Sequence, residues 1–200
     1  MQNDRLTLTT MAMQPTQMGF MEAVKTCFSK AFTFSGRARR AEYWYWYLFS
    51  VLVSLPLQIL LEVVPEDSWA LMLVVALVSL GWGLFDAIAT FAVSVRRLHD
   101  IGRSGWWYGA SVIFGIIWAV VIVIWMFSVL WVTPADSLSS SLIPWLVVAF
   151  ITYMPLLVYS IVLLVWFCTD STPGPNKYGE NPKGVGNADE AFASCEEMEK

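Results

Sequence analysis

Four long stretches of this chain contain no charged side chain: Tyr43 to Leu61, Ser68 to Phe85, Ser104 to Ala135 and Ser137 to Thr169, of 19, 18, 32 and 33 residues. A helix needs about 20 apolar residues to cross the hydrocarbon core of a bilayer, so each is a candidate span. The second stretch extends past Asp86, because Ala87 to Val95 is again apolar. The pattern predicts four transmembrane helices near residues 44–64, 69–95, 106–132 and 142–168. Two crossings within one run would need about 40 residues plus a turn, and neither long run contains a polar turn. Strands of a membrane barrel alternate apolar and polar residues, whereas Leu71-Met72-Leu73-Val74-Val75-Ala76-Leu77-Val78 does not. At 57% apolar and 14% charged, the chain is also far from a soluble domain, where about 25% of residues are charged. Low polarity excludes disorder for most of its length, and three cysteines exclude a disulfide-rich secreted module. The expected fold class is an all-α integral membrane protein built as a four-helix transmembrane bundle.

The twelve Lys and Arg residues sharpen this expectation. All of them fall in three segments: Arg5 to Arg40, Arg96 to Arg103 and Lys177 to Lys200. The other two connections carry Glu62, Glu66, Asp67 and Asp136 and no basic residue. The positive-inside rule places both termini and the central loop in the cytoplasm. Residues 1–17 and the acidic stretch 185–200 read as disordered tails, flanking a single four-span membrane domain over 18–184. Met1 to Gln17 has no apolar core of a cleavable signal, so the first span is expected to direct insertion. From Phe20 to Ala31, apolar residues Phe20, Met21, Val24, Cys27, Phe28 and Ala31 recur at helical spacing. This stripe predicts a short N-terminal amphipathic interfacial helix; a helix docked on the protein itself has the same pattern.

Three motifs flank the spans: FTFSGRARRAEYW at Phe32 to Trp44, VRRLHDIGRSGWW at Val95 to Trp107, and STPGPNKYGENP at Ser171 to Pro182. Their order, wording and placement resemble the bacterial inner-membrane family catalogued as domain of unknown function 805. The resemblance covers about residues 20–184. It implies a small multi-span protein of the bacterial cytoplasmic membrane and no particular reaction. The long third and fourth spans and the acidic tail from Asp189 to Lys200 depart from the family pattern.

In the predicted topology all three motifs lie at the cytoplasmic end. Arg37, Arg39 and Arg40 precede Glu42 and the aromatic run Tyr43 to Tyr47. Arginine can grip phosphates with two parallel donors, and Trp and Tyr favour headgroup depth. These arginines therefore read either as topological anchors or, with Arg96, Arg97, His99 and Arg103, as a site for lipid headgroups or another anion. Alternatively the second motif forms a polar network with Glu42 and Asp100, to which Asn176 and Tyr178 of the third motif add polar groups. His99 and Asp100 are adjacent, and adjacent helical residues do not face one another, which speaks against a catalytic dyad. Gly102 and Gly105 suit a helix stop and a tight turn. Pro173, Gly174, Pro175 and Pro182 forbid a regular helix in the third motif, which reads as a docked cap. No strand surrounds its glycines, so it is not a nucleotide fingerprint.

Asp86 is the one ionisable residue expected well inside a span, and a carboxylate there should face the bundle. It reads as an interhelical hydrogen-bonding group or as part of a proton or cation path. With one histidine and no ligand spacing, neither a metal nor another cofactor is expected. The favoured function is a structural or interaction component of the bacterial envelope whose basic face contacts anionic lipid. The alternative is a small ion-coupled transporter or permease using Asp86, and a lipid-headgroup enzyme ranks third. Expected partners are membrane lipids, with a membrane-protein partner or a second copy possible and no nucleic acid.

Overall fold

A computed structural model of the chain describes residues 18–65, 67–132 and 138–184. The expected tails at 1–17 and 185–200 lie outside the described residues. Five helices follow one another: α1 (Phe20–Ser29), α2 (Arg40–Val63), α3 (Trp69–Asp100), α4 (Trp106–Val132) and α5 (Leu138–Cys168). No strand occurs among the described residues. The last four helices are long and apolar enough to cross a membrane, as the uncharged runs predict. Three of them exceed the expected spans: α2 begins at Arg40, α3 continues through the charged residues Arg96 to Asp100, and α5 begins at Leu138. Pro144 and Pro155 both fall within α5, a tolerance common in membrane helices.

The chain divides into two compact units: residues up to Gly105 together with those from Thr169 onward, and Trp106–Cys168. In the second unit, α4 and α5 are joined by aromatic contacts. Trp107 meets Trp166 edge-on at 5.3 Å, and Trp118 meets Tyr153 at 5.4 Å. The Tyr159 hydroxyl donates to the Trp107 carbonyl at 2.5 Å. An apolar groove between these helices is lined by Phe114, Ile117, Trp118, Leu156 and Tyr159.

In the first unit, burial changes abruptly along α3. Most of its large apolar side chains from Trp69 to Ile88 are exposed, including Leu73, Leu77, Leu80 and Leu84, while Val75, Trp82 and Phe85 are half-buried; Ala89, Ala92 and every residue from Val93 to Leu98 are buried. At 1.5 Å per residue the exposed section is about 30 Å long, the thickness of a hydrocarbon core. The remaining turns project about 18 Å further. The antiparallel α2 repeats this division: Glu42, Tyr43 and Trp46 are buried, while Tyr47, Leu52, Leu55 and Ile59 are exposed. The protein-packed core therefore sits at one end of the α2–α3 pair, the end carrying the basic residues. Asp86 lies two residues before the end of the exposed section.

Helix α1 packs into this core. The Glu22 carboxylate accepts the Gly19 N–H at 3.4 Å and closes its first turn. Ala23, Val24 and Cys27 are buried against α2, while Met21 and Phe28 of the expected stripe remain exposed. Phe20 meets Tyr45 edge-on at 5.8 Å, and the Cys27 thiol lies 3.9 Å from the Glu42 carbonyl. The two ends of α1 thus touch α2 at positions only about 4.5 Å apart along its axis, so α1 crosses α2 instead of running beside it.

Candidate functional site

The buried end of α3 is closed by a specific stop. Gly102 adopts φ +76°, its N–H donates to the His99 carbonyl at 3.0 Å, and the Arg103 N–H donates to the Leu98 carbonyl at 2.9 Å. This pair of bonds is the Schellman motif, which favours glycine at the left-handed position. Gly105 has a different constraint. A β-carbon there would lie 2.6 Å from Val95 Cγ1, so only glycine lets the following turn pass α3.

At this stop the three motifs converge on Asp100, whose side chain is 0% exposed. Its Oδ1 accepts Arg37 Nε at 2.9 Å. Its Oδ2 accepts Arg97 Nη1 and, at 2.5 Å, Ser171 Oγ. Its carbonyl accepts the Thr172 N–H at 3.2 Å and Thr172 Oγ1 at 3.0 Å. Arg37 reaches further into the third motif, donating to the Gly174 carbonyl at 2.8 Å and the Thr172 carbonyl at 2.7 Å. Arg97 also donates to the Thr169 carbonyl. One buried carboxylate therefore holds two guanidinium groups, and each of these also donates to backbone carbonyls in or just before the third motif. Such pairing is what makes a buried charge tolerable.

A second buried pair lies one helical face away. Arg96 Nη1 donates to Glu42 Oε1 at 2.5 Å, with both side chains almost wholly buried. Adjacent residues on a helix point about 100° apart, which is why Arg96 and Arg97 serve different elements. Arg96 Nε and Nη2 have no hydrogen bond among the described residues. The Cys27 thiol lies 3.8 Å from Glu42 Oε1. Burial, then the Glu42 charge, pushes this thiol up to about 12.

The remaining predicted residues lie around this centre. Arg39 Nε donates to the Pro182 carbonyl at 2.8 Å. Arg40 is exposed and 3.6 Å from Asp170. Lys183 also binds Asp170, and that hydrogen bond holds the Asp170 carboxyl below its ordinary value. Arg103 is exposed. His99 turns away from Asp100: its Nδ1 is 3.2 Å from the Gly36 carbonyl and its ring stacks on Tyr178 at 3.8 Å, 7° from parallel. Asn176 Nδ2 donates to the His99 carbonyl at 3.0 Å, while Asn176 Oδ1 accepts the Tyr178 N–H at 2.9 Å. The third motif is held as a cap over the α3 terminus by these bonds.

From the last turns of the lipid-thickness section into the core, α2 and α3 form a polar ladder. Ser50 Oγ donates to Asp86 Oδ2 at 2.7 Å, and Thr90 Oγ1 donates to Asp86 Oδ1 at 3.3 Å. Trp46 Nε1 donates to Thr90 Oγ1 at 3.0 Å, and Trp82 Nε1 donates to Ser54 Oγ at 3.0 Å. Every fourth residue of α2 from Trp46 thus meets every fourth residue of α3 from Trp82, in antiparallel register. Sequence reasoning missed Trp46, Ser50, Ser54 and Trp82; the signal available was the shared spacing of four polar-tipped residues on neighbouring spans. No group of three or more His, Cys, Asp or Glu able to hold a metal occurs among the described residues.

An all-helical chain with four membrane-length apolar helices and a capped, charge-paired end defines a multi-span membrane protein. The chain belongs to the protein family of unknown function DUF805, whose model matches residues 31–138 and so includes the first two motifs. It is 30% identical over 150 residues to the Escherichia coli K12 inner membrane protein YhaI, covering 75% of this chain and 86% of that protein. It is 26% identical over 150 residues to the E. coli K12 inner membrane protein YhaH, covering 75% and 87%. No solved structure matches the chain.

Proposed function

We propose that the protein is a structural or interaction component of the bacterial inner membrane, with both termini and its capped end in the cytoplasm and anionic lipid around that end. The observation that carries this reading is Asp100. The arginines that a ligand-binding face would present, Arg37 and Arg97, are buried and joined to Asp100 and to third-motif carbonyls. They act as fasteners between segments rather than as an open anion pocket. The cations exposed at this end, where lipid phosphates can approach, include Arg40, Arg103 and Lys177. The distribution of basic residues supports the orientation, and the inner-membrane relatives support the compartment alone.

Two measurements test the reading. A C-terminal reporter active only outside the cytoplasm is expected to be silent; activity would reverse the orientation. In native mass spectrometry, wild-type protein should retain phosphatidylglycerol over phosphatidylcholine. The Arg40→Gln, Arg103→Gln, Lys177→Gln variant should lose most of that preference, and equal retention by both forms rejects lipid contact through these residues.

A second reading, an ion-coupled transporter, is favoured by one observation: Asp86 accepts hydrogen bonds from Ser50 and Thr90 within the membrane section. Proton flux into proteoliposomes that is abolished by Asp86→Asn would establish it. Equal flux in wild type, variant and empty vesicles removes it.

A further inference from the structure

We infer that the surface made by α1 and the turn that follows it is a lipid-seated platform, with its aromatic side chains in the upper acyl layer and its lysines among anionic phosphates. The geometry is the first support. Because α1 crosses α2, it lies roughly along the membrane plane, and it does so where the exposed sections of α2 and α3 begin. The Phe28 ring projects from it toward those sections: it stacks on Phe85 at 5.3 Å and meets Trp46 and Phe49 edge-on at 5.4 and 5.7 Å. Phe34 meets Phe91 at 5.9 Å, which fixes the turn at the same border.

Continuity of the apolar surface is the second support. Met21 and Phe32 are 66% and 69% exposed, and Phe28 and Phe34 are also exposed. These side chains adjoin the exposed face of the spans through the Phe28–Phe85 and Phe34–Phe91 contacts, so one solvent covers both. For a span of membrane length that solvent is lipid. The third support is charge. Lys25 and Lys30 are exposed on the same segment, and Glu22, its sole acidic residue, is engaged at the helix start. Apolar side chains flanked by lysines whose stems can lie along them suit an anionic lipid surface. The anionic part deepens the proposed lipid contact; the depth of the platform stands independently of orientation.

The test uses full-length protein with Cys168→Ser and Cys195→Ser, reconstituted into phosphatidylcholine or phosphatidylglycerol vesicles. Nitroxide labels at Met21→Cys, Phe32→Cys and, as a water-exposed reference, Glu180→Cys are read by power saturation against oxygen and a water-soluble nickel complex. The labels at 21 and 32 should favour oxygen several-fold more than the reference in both lipids. Reference-like values at 21 and 32 overturn the inference, and shielding from both relaxants overturns it in favour of a protein partner or second copy. Lys25→Gln with Lys30→Gln should lower phosphatidylglycerol retention several-fold; unchanged retention overturns the assignment of the lysines. Lipid-like depth with no anionic preference would leave the platform standing while the proposed headgroup contact falls, so the two failures are distinguishable.

Discussion

The two halves of α3 use the same kind of residue for opposite purposes. From Trp69 to Ile88 leucines, valines and isoleucines point outward, and from Ala89 onward smaller apolar residues point into a protein core. The first half needs only hydrophobicity, because lipid is a fluid solvent and demands no complementary shape. The second must fit α1, α2 and the third motif at interior packing density. Its neighbours also include buried charge, which is tolerable there because each charged group is paired. A substitution should therefore be felt strongly in the second half and weakly in the first.

The comparison is broken most directly at Asp100. Asp100→Ala leaves the Arg37 and Arg97 guanidinium groups buried without their shared carboxylate, a loss of about 3–5 kcal/mol when a buried pair is broken from one side. The melting temperature in detergent, followed by tryptophan fluorescence, should fall sharply, or the protein should fail to fold. Ser171→Ala removes one donor of the same cluster and should cost about 1 kcal/mol, which keeps the idea testable if the first variant is lost. A melting temperature for Asp100→Ala equal to that of a lipid-facing control such as Leu77→Ala would dissolve the distinction between the two halves.

Gly105→Ala probes shape rather than charge. Its β-carbon would meet Val95 Cγ1 at 2.6 Å, and overpacking of this kind costs about 1–3 kcal/mol. Val95→Ala should recover most of the loss in the double variant. Failure to recover would mean that Gly105 is required for backbone conformation instead of space.

The ladder between the halves gives a smaller effect. Trp46→Phe preserves most of the aromatic packing against Phe28 and Phe49 but removes the donor to Thr90. Interhelical hydrogen bonds in membranes average about 0.6 kcal/mol, so a shift of a few degrees is expected. Ser54→Ala, two rungs further into the membrane, should match it. A much larger loss for Trp46→Phe alone would show that the fit of the buried indole, not its hydrogen bond, dominates this rung.

These regions also differ in how far the sequence reveals them. The spans were readable because a long uncharged run has few alternatives to a bilayer. The end of the membrane section was not, because Ala87 to Val95 is apolar whether it faces lipid or protein. The useful distinction lies in size: Ala89, Ala92 and Ser94 are small where helices must approach closely. The convergence of charged motifs was visible as a set of residues, but their pairing was not. Arg96 faces Glu42 and Arg97 faces Asp100 only because α3 remains helical through both, and Arg37 joins Asp100 from 63 residues away. Distance along the chain carries no signal for that contact.

Cys27 offers the mildest probe of the packed end. Its thiol is raised to about 12, first by burial and then by the neighbouring Glu42 charge, so the folded state favours the neutral form. The sign follows: the contribution to stability is complete below the unfolded thiol value, about 8.5, and is lost as pH rises from there through the folded value near 12. Thiolate is the nucleophile, so at pH 8 a maleimide should modify Cys27 far more slowly than the exposed Cys168. The experiment is cleanest with Cys168→Ser and Cys195→Ser, leaving Cys27 as the one thiol, and with denatured protein as the reference for full reaction. Glu42→Gln removes the charge but keeps the side chain's shape and should raise the rate modestly, while Ala23→Cys in the same background reports burial without that charge. If Cys27 reacted as quickly in folded as in denatured protein, α1 would not be packed against α2, and the division between a protein-covered and a lipid-covered half would have to be moved.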